Sequence, residues 1–192
     1  DAEIAVLSLF TARLAGKYGI ILEISAQKIK GNKQTDYFHT FINPGASTLT
    51  SLRLPGDVEQ EVKQGVPAEK GALALLHFLG DAVLAGYDIH SMAHQLNAVL
   101  GKMQETIENQ ALCLKLLTKK LFPSLNQKSL SDLSLFFKLP TIDTPNTEKE
   151  VSNMVNIFAR CRELADAQKI VTIEKLLEFQ YPTVMSVDFS KY

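Results

Sequence analysis

The chain has 192 residues, a formal net charge of −1, and 46% hydrophobic and 21% charged residues. This length allows one well-cored domain, and the composition is ordinary for a globular protein. No apolar run approaches the ~20 residues that a membrane helix needs, and the first residues lack the basic flank of a secretory signal. We therefore expect a soluble cytoplasmic protein without membrane contact, and the near-neutral charge excludes a strongly basic nucleic-acid binder.

Thiols and clustered lysines are few. Cys113 and Cys161 lie in helical patterns, which favours buried free thiols over a disulfide or a metal pair. Two lysine groups are candidates for phosphate contact, although a solvated face is the more common use of such groups. They are Lys28, Lys30 and Lys33 around a turn, and Lys115, Lys119 and Lys120 at helical spacing.

The first half of the sequence predicts a β-meander. Residues 4–10 form an apolar run typical of a buried strand, and residues 20–29 and 35–42 predict two further strands, each preceded by a Gly-containing turn. Asn43-Pro44-Gly45 ends the third strand. The polar stretch that follows, to about Gly65, predicts a connecting loop with room for one helical turn.

A helix, a strand and another helix come next. Pro67 marks a helix start and Gly80 its end, residues 82–87 predict a short strand, and residues 91–101 predict the second helix. A strand followed by a crossover helix and another strand implies parallel pairing. The sequence therefore predicts a mixed sheet.

The second half is predicted to be helical. Helical patterns occupy residues 114–122, 129–137, 148–165 and 172–179. In the third of these, Thr147 and Glu150 have the spacing of a capping box, in which the two side chains satisfy backbone groups at a helix start. We expect one domain over residues 1–168 and a C-terminal tail with a short helix over residues 169–192.

Several local strings also occur in a known order and spacing. They are residues 21–29, 38–45, 78–86 and 120–123, with Lys128-Ser129-Leu130 further on. Together they resemble the DnaQ-like 3′–5′ exonucleases of the DEDDh type, a family that includes DNA polymerase III epsilon-like proteins. The resemblance covers residues 4 to 165. It implies an α/β, RNase H-like fold with a mixed five-stranded sheet flanked by helices.

The resemblance also locates the family's active site. That chemistry uses two divalent metal ions about 4 Å apart, which need several carboxylate ligands. Ser8 and Phe10 stand where the family has the two carboxylates of its first strand, and Met92 stands for the aspartate after the fourth strand. Pro145 falls at the general-base histidine and Glu150 at the last carboxylate. A further Asp-Thr pair of the family falls on Cys113-Leu114.

Only Glu150 keeps a carboxylate, and the predicted capping box accounts for it without a metal ion. A single carboxylate cannot confine two divalent cations, and Phe10 places apolar bulk at the central ligand position. The resemblance therefore implies a degenerate member, a pseudoenzyme with no catalytic residues, no bound metal ion and no cofactor.

Other side chains are candidates for a rebuilt site. His90 and His94 have an i, i+4 spacing that zinc sites use, beside Asp88, but no Cys or Glu completes the set, which favours a turn and solvated histidines. Ser8 with either histidine lacks an orienting acid for nucleophilic catalysis. His39 and His77 are interpreted as surface or edge residues.

Two hypotheses for function follow. The first is a catalytically inactive exonuclease homologue that acts as a nucleic-acid-binding or protein-interaction domain. Its partner would be a single-stranded nucleic acid, contacted by Thr11, Tyr87 and Asp88, or another protein. Phe10 beside Tyr87 is interpreted as core rather than as a base-stacking residue.

The alternative is an active, divergent 3′–5′ exonuclease that depends on Mg²⁺ or Mn²⁺. It would use Asp88, Glu23, Asp143 or Glu150 in rearranged roles. A third interpretation treats the chain as a regulatory domain of a longer protein, since residues 187–192 resemble an element that follows some bacterial exonuclease domains.

Overall fold

The computed structural model describes residues 2–14, 17–31, 33–126, 129–142 and 145–181. Strands within these ranges form a mixed six-stranded sheet in the order β4-β3-β2-β1-β5-β6. The strands are β1 (Glu3–Leu14), β2 (Lys17–Lys30), β3 (Lys33–Asn43), β4 (Val66–Pro67), β5 (Val83–Gly86) and β6 (Ala111–Cys113). The predicted RNase H-like arrangement of a mixed sheet with flanking helices is confirmed.

The strand pairing follows the predicted meander. β1 is antiparallel to β2, which is antiparallel to β3, while β5 runs parallel to β1 and β6 parallel to β5. The predicted number of five strands is wrong by one. β4 and β6 are only two and three residues long, too short to show the period-two alternation that identifies a strand in a sequence.

Helices cover both faces of the sheet. They are α1 (Ala46–Leu52), α2 (Gly56–Gln64), α3 (Ala68–Leu79), α4 (Ile89–Leu100), α5 (Leu114–Leu121), α6 (Leu130–Phe136), α7 (Thr147–Ala167) and α8 (Ile173–Gln180). α1 and α2 occupy the region predicted as a loop with one helical turn. That expectation is corrected because Leu49 of α1 and Val62 of α2 are buried against the sheet, a tertiary contact that offsets their polar composition.

The core has two main parts, one on each face of the sheet. Alternation along β1 sends Ile4 and Val6 into the part under α5 and α7, and Ala5 and Leu7 into the part under α3 and α4. Cys113 and Cys161 are buried free thiols, as predicted. No helix in the described ranges is long and apolar enough to cross a membrane.

α8 packs on the same core as the preceding elements. Ile173 and Leu176 are buried beside α5 and α7 residues. The Gln180 side chain accepts a hydrogen bond from the Cys113 amide at 2.7 Å and donates one to the Ala111 carbonyl at 2.9 Å. Gln180 thus binds the outer edge of β6 as a neighbouring strand would. The predicted tail element over residues 187–192 lies outside the described residues, as does Asp143.

Candidate functional site

Three of the positions that the resemblance assigns to the active site, Ser8, Phe10 and Glu150, lie where β1, β2 and the start of α7 meet. The register places Ser8 opposite Ser25 and Phe10 opposite Glu23. Because side chains alternate along a strand, these four residues point to one face of the sheet. α7 packs across β1 and β2 on that face, which brings Glu150 toward them.

The Ser8 hydroxyl donates a hydrogen bond to Oε2 of Glu150. Ser8 is 3% exposed, so this contact is nearly shielded from water. Burial raises the pKa of the Glu150 carboxyl above its ordinary value, with the charge of Glu23 adding to the rise and the Ser8 hydrogen bond opposing it. The carboxylate at this ligand position therefore already has a protein partner.

Glu23 is a second buried carboxylate at the site, 4% exposed. Its Oε1 lies 2.9 Å from Nε2 of His39, and its Oε2 accepts a hydrogen bond from the Thr147 amide at 3.4 Å. His39 lies at the sheet edge, as predicted, because β3 pairs with β4 only at Ile42 and Asn43. Its side chain is nevertheless only 24% exposed. It is partly buried because it lies opposite Ser25 on the face that α7 approaches. His77, in contrast, is exposed as predicted.

The contacts at the start of α7 differ from the predicted capping box. Its N-cap is Asn146, whose Oδ1 accepts from the Lys149 amide at 2.8 Å. The predicted capping box of Thr147 and Glu150 is wrong, because Thr147 is fully buried and its hydroxyl lies 2.6 Å from that of Ser25. Glu150 therefore has its tertiary bond to Ser8 in place of a capping contact.

A third contact joins α7 to the sheet at β3. The Tyr37 hydroxyl donates a hydrogen bond to Glu148 at 2.7 Å. Partial burial raises the pKa of Tyr37 to about 12; a hydrogen bond with Ser25 opposes the rise, and Glu148 and Glu23 add to it. Tyr37 therefore stays a neutral donor at physiological pH, and the first turn of α7 is attached to β1, β2 and β3.

Phe10 lies in a small apolar cluster beside these polar contacts. It packs with the buried residues Leu22, Leu49 and Val62, which belong to β2, α1 and α2. A shift in the β1–β2 register follows Phe10. Phe10 is itself partly buried and packs on the margin of the core, and α1 and α2 cover this end of the sheet.

Met92 and Pro145 do not join the polar contacts. Met92 lies on α4 and packs against the core of the opposite sheet side, close to Gly86. A Cβ at Gly86 would lie 2.5 Å from the Met92 methyl group, so the two residues fit closely. Pro145 is exposed and immediately precedes the Asn146 cap.

The three residues that we expect to contact a nucleic acid differ in burial and in their contacts. Thr11 is partly buried on β1, and Asp88 is exposed at the start of α4 without a side-chain cap bond. Tyr87 packs against the α7 side of the core, and its hydroxyl is buried without a hydrogen-bond partner in the described ranges. Their binding role stays a prediction.

The histidine pair is likewise not organised for a metal ion. His90 and His94 are exposed, and the His90 ring lies 6.4 Å from that of Tyr181. Among the described residues no three His, Cys, Asp or Glu side chains group closely enough to hold a metal ion. The carboxylates of Glu23 and Glu150 are bonded to His39, Thr147 and Ser8, so this donor set does not fit a pair of divalent cations.

Some of the candidate lysines contact other residues of the protein, and others are exposed to solvent. Lys28 pairs with Glu3 at 2.8 Å and lies over the Phe78 ring at 5.3 Å. Lys120 donates to the Tyr181 carbonyl and lies over the Phe179 ring at 5.0 Å. Lys119 is exposed on α5. The lysine groups predicted from spacing therefore do not act as two uniform basic faces.

No protein-family model matches the chain. Comparison with curated proteins finds a DNA polymerase III PolC-type from Caldanaerobacter subterraneus subsp. tengcongensis, 27% identical over 85% of this chain. It also finds the DNA polymerase III subunit epsilon of Aquifex aeolicus, 21% identical over 85% of this chain and 82% of that protein. The chain spans only 12% of the length of the PolC-type relative.

The fold has close counterparts among solved structures. The nuclease domain of 3′hExo, described as a DEDDh family member bound to rAMP, superposes with a TM-score of 0.64 over 83% of this chain and 90% of that chain, at 11% identity. The fold is that of the DEDDh exonucleases. The chain is therefore similar in sequence to DNA polymerase III epsilon and PolC-type proteins and similar in fold to a DEDDh exonuclease, as the sequence strings predicted.

Proposed function

We propose that this domain does not hydrolyse nucleic acid and serves as a protein-interaction domain built on an exonuclease fold. The observation that carries the proposal is the hydrogen bond from Ser8 to Glu150. It joins two of the family's ligand positions directly to each other. The side chains that would face a metal ion in an active relative here attach α7 to the sheet.

The chemistry of the donor set supports this proposal. Phosphodiester hydrolysis by two metal ions requires several oxygen ligands with free lone pairs, arranged around both ions. Here Phe10 supplies an apolar ring and Met92 a thioether that packs in a core. Pro145, at the position of the general base, has no group that accepts a proton. Nothing at these positions replaces the missing charge.

A protein partner fits the charge better than a nucleic acid. The net charge is −1, and affinity for nucleic acid depends on many lysine or arginine contacts to phosphates. By their names, the PolC-type and epsilon relatives belong to DNA polymerase III. An interaction domain within a larger replication assembly is consistent with those relatives.

The alternative of a divergent exonuclease has one observation in its favour. Two carboxylates, Glu23 and Glu150, both contact the junction of the sheet with the first turn of α7. Burial raises the pKa of Glu150, and the charge of Glu23 adds to the rise. An active enzyme would have to release Ser8, His39 and Thr147 from these groups before a metal ion could bind. We therefore propose the inactive form as the native one.

The test is a nuclease assay of wild type beside the Glu150→Gln variant. Single-stranded DNA and RNA, labelled at the 5′ end, are incubated with each protein in Mg²⁺ and in Mn²⁺. We expect no shortening of either strand beyond a protein-free control, and no difference between the two proteins. Mn²⁺-dependent shortening from the 3′ end that Glu150→Gln abolishes would establish the divergent enzyme instead.

Binding without cleavage is measured separately. We expect the protein not to shift labelled single-stranded DNA or RNA at low salt. A shift that weakens steeply as salt increases would favour the nucleic-acid-binding form of the proposal. Tyr87→Ala and Asp88→Ala then test whether the strand lies in the old cleft.

A further inference from the structure

The short helix α6 buries Leu133 and Ser134 and exposes two large apolar side chains. Ser134 is 2% exposed, whereas its neighbours Leu135 and Phe136 are 70% and 48% exposed. The buried Ser134 hydroxyl accepts a hydrogen bond from Nδ2 of Asn153 on α7 at 3.0 Å. Leu130 and Leu133 pack on the core from the same side of α6. These contacts and the Ser134 bond leave Leu135 and Phe136 facing outward.

The outward side chains continue into an aromatic cluster. The rings of Phe122, Phe136 and Phe137 meet edge to face, with centroid separations of 5.0 to 5.7 Å. Phe122 and Phe137 are partly buried against the core, so they hold the exposed Phe136 ring in place. We call Phe122, Leu135, Phe136 and Phe137 the α6 patch. A fixed, contiguous apolar patch of this kind is typical of a binding surface.

Positive charge borders the α6 patch. The Lys138 amide donates to the Leu135 carbonyl at 3.0 Å, which places this exposed residue at one border. Lys119 is exposed in the last turn of α5, and Phe122 is the C-cap of that helix. Within the described part of the chain, neither lysine has an ion pair. The nearby carboxylate of Asp132 accepts the Ser129 amide in a capping box.

We propose that the α6 patch binds an apolar segment of another protein that carries Asp or Glu beside its apolar side chains. The apolar side chains would cover Leu135 and Phe136, and the acidic groups would lie near Lys119 and Lys138. This proposal rests on the proposed function as an interaction domain and names the surface and the chemistry of the partner. It places binding on α6, away from the old catalytic centre.

Two other occupants fit the α6 patch less well. In a symmetric dimer through this surface the α6 patch would meet a second copy of itself, which brings the lysines of both copies into one interface without added acidic groups. A nucleic-acid strand needs bases stacked on open ring faces and several phosphate contacts. The most exposed residue here is Leu135, which has no ring. Within the described ranges we place two lysines, Lys119 and Lys138, at the border of the patch.

The probe is a displayed library of random short peptides, selected on wild-type protein and counter-selected on the Leu135→Asp, Phe136→Ser double variant. We expect the enriched peptides to combine two or more large apolar residues with Asp or Glu. A synthetic copy of an enriched peptide should bind the double variant at least about tenfold more weakly than wild type. The matched control Leu164→Asp, at another exposed leucine, should leave binding unchanged.

The contribution of charge is tested by reversing charges on the protein and on the peptide. Lys119→Glu with Lys138→Glu should weaken the acidic peptide at least about fivefold at low salt, and Lys in place of the peptide's acidic residues should restore part of the loss. Enriched peptides without acidic residues, or binding unaffected by the α6 variants, would overturn the proposal. Circular dichroism and urea unfolding confirm that each variant is folded.

Two further outcomes would identify a different occupant and also overturn the proposal. One is concentration-dependent dimerisation, seen by sedimentation, that the double variant abolishes. The other is binding of single-stranded DNA that the same variant abolishes. A peptide that binds elsewhere would leave the interaction-domain function intact, whereas metal-dependent nuclease activity would contradict the proposed function without bearing on α6.

Discussion

The hydroxyl of Ser8 donates a hydrogen bond to the carboxylate of Glu150, a residue 142 positions further along the chain. One residue lies in the middle of β1 and the other in the first turns of α7. By the resemblance, both positions correspond to metal ligands of the DnaQ-like exonucleases, where two carboxylates would repel each other without the cations. Replacing one carboxylate by a hydroxyl turns that repulsion into a direct attraction between sheet and helix.

Ser8→Ala is expected to destabilise the protein by about 1–3 kcal/mol at neutral pH, because it leaves a largely buried carboxylate without its donor. Urea unfolding followed by circular dichroism measures the change. Thr11→Ala on the same strand, where the structure gives no side-chain bond, is the control. A loss no larger than in that control would mean that the Ser8 hydroxyl contributes nothing to stability.

Glu150 makes stability depend on pH with a defined sign. Its folded pKa is raised above the ordinary value of 4.5, so the folded state holds the proton more tightly than the unfolded state. The resulting contribution is fully present below the unfolded pKa and is lost as pH rises through the raised folded pKa. Glu150→Gln removes this dependence. We expect the stability of wild type relative to Glu150→Gln to fall between pH 4.5 and neutrality.

Unfolding in urea at a series of pH values checks this sign. Ser8→Ala should steepen the fall, since the Ser8 hydrogen bond lowers the pKa of Glu150. Parallel curves for wild type and Glu150→Gln would contradict it. If the stability of wild type relative to Glu150→Gln instead increased with pH, the pKa of Glu150 would be lowered in the folded state.

The fold could be predicted well from the sequence, whereas the hydrogen bonds between the sheet and the start of α7 could not. The strings at β2, β3 and β5 reflect local apolar patterning, which one sequence displays directly. The bonds among Glu23, Ser25, His39 and Thr147 join residues on three elements, and their partners depend on register and on how α7 crosses the sheet. One signal was present: Glu23, Ser25 and Gln27 alternate as polar residues within an otherwise apolar strand.

The prediction of a capping box failed for a related reason. Thr147 and Glu150 have the right spacing, but Asn146 is also a strong N-cap residue and stands one position earlier. A helix start defined by Asn146 leaves both Thr147 and Glu150 available for tertiary contacts. A spacing rule on one helix cannot report that Ser25 and Ser8 lie across from these two side chains.

The buried pair of hydroxyls at Ser25 and Thr147 is expected to behave as a unit. Thr147→Val keeps the side-chain shape but leaves the Ser25 hydroxyl without its partner, at a cost of about 1–3 kcal/mol. Adding Ser25→Ala should restore much of that loss, since both polar groups are then removed. A double-mutant cycle in urea measures the coupling. Strictly additive losses would show that the 2.6 Å contact contributes no pairwise energy.

Divalent metal ions are expected to leave the melting temperature unchanged. A ligand that binds only the folded state stabilises it in proportion to the logarithm of its concentration over its dissociation constant. The carboxylates of Glu23 and Glu150 already have protein partners, so we expect equal melting temperatures in EDTA and in millimolar Mn²⁺. An increase with Mn²⁺ that Glu150→Gln abolishes would contradict this and would support the divergent enzyme.

Gln180 links α8 to β6, and removing its side chain should destabilise both elements. Gln180→Ala leaves the buried Cys113 amide without its acceptor and the Ala111 carbonyl without its donor, so we expect a loss of about 1–3 kcal/mol. Amide hydrogen exchange should also become faster at Cys113 in the variant. Glu178→Ala, at an exposed position of the same helix, is the matched control. Unchanged exchange at Cys113 would mean that β6 keeps its edge without α8.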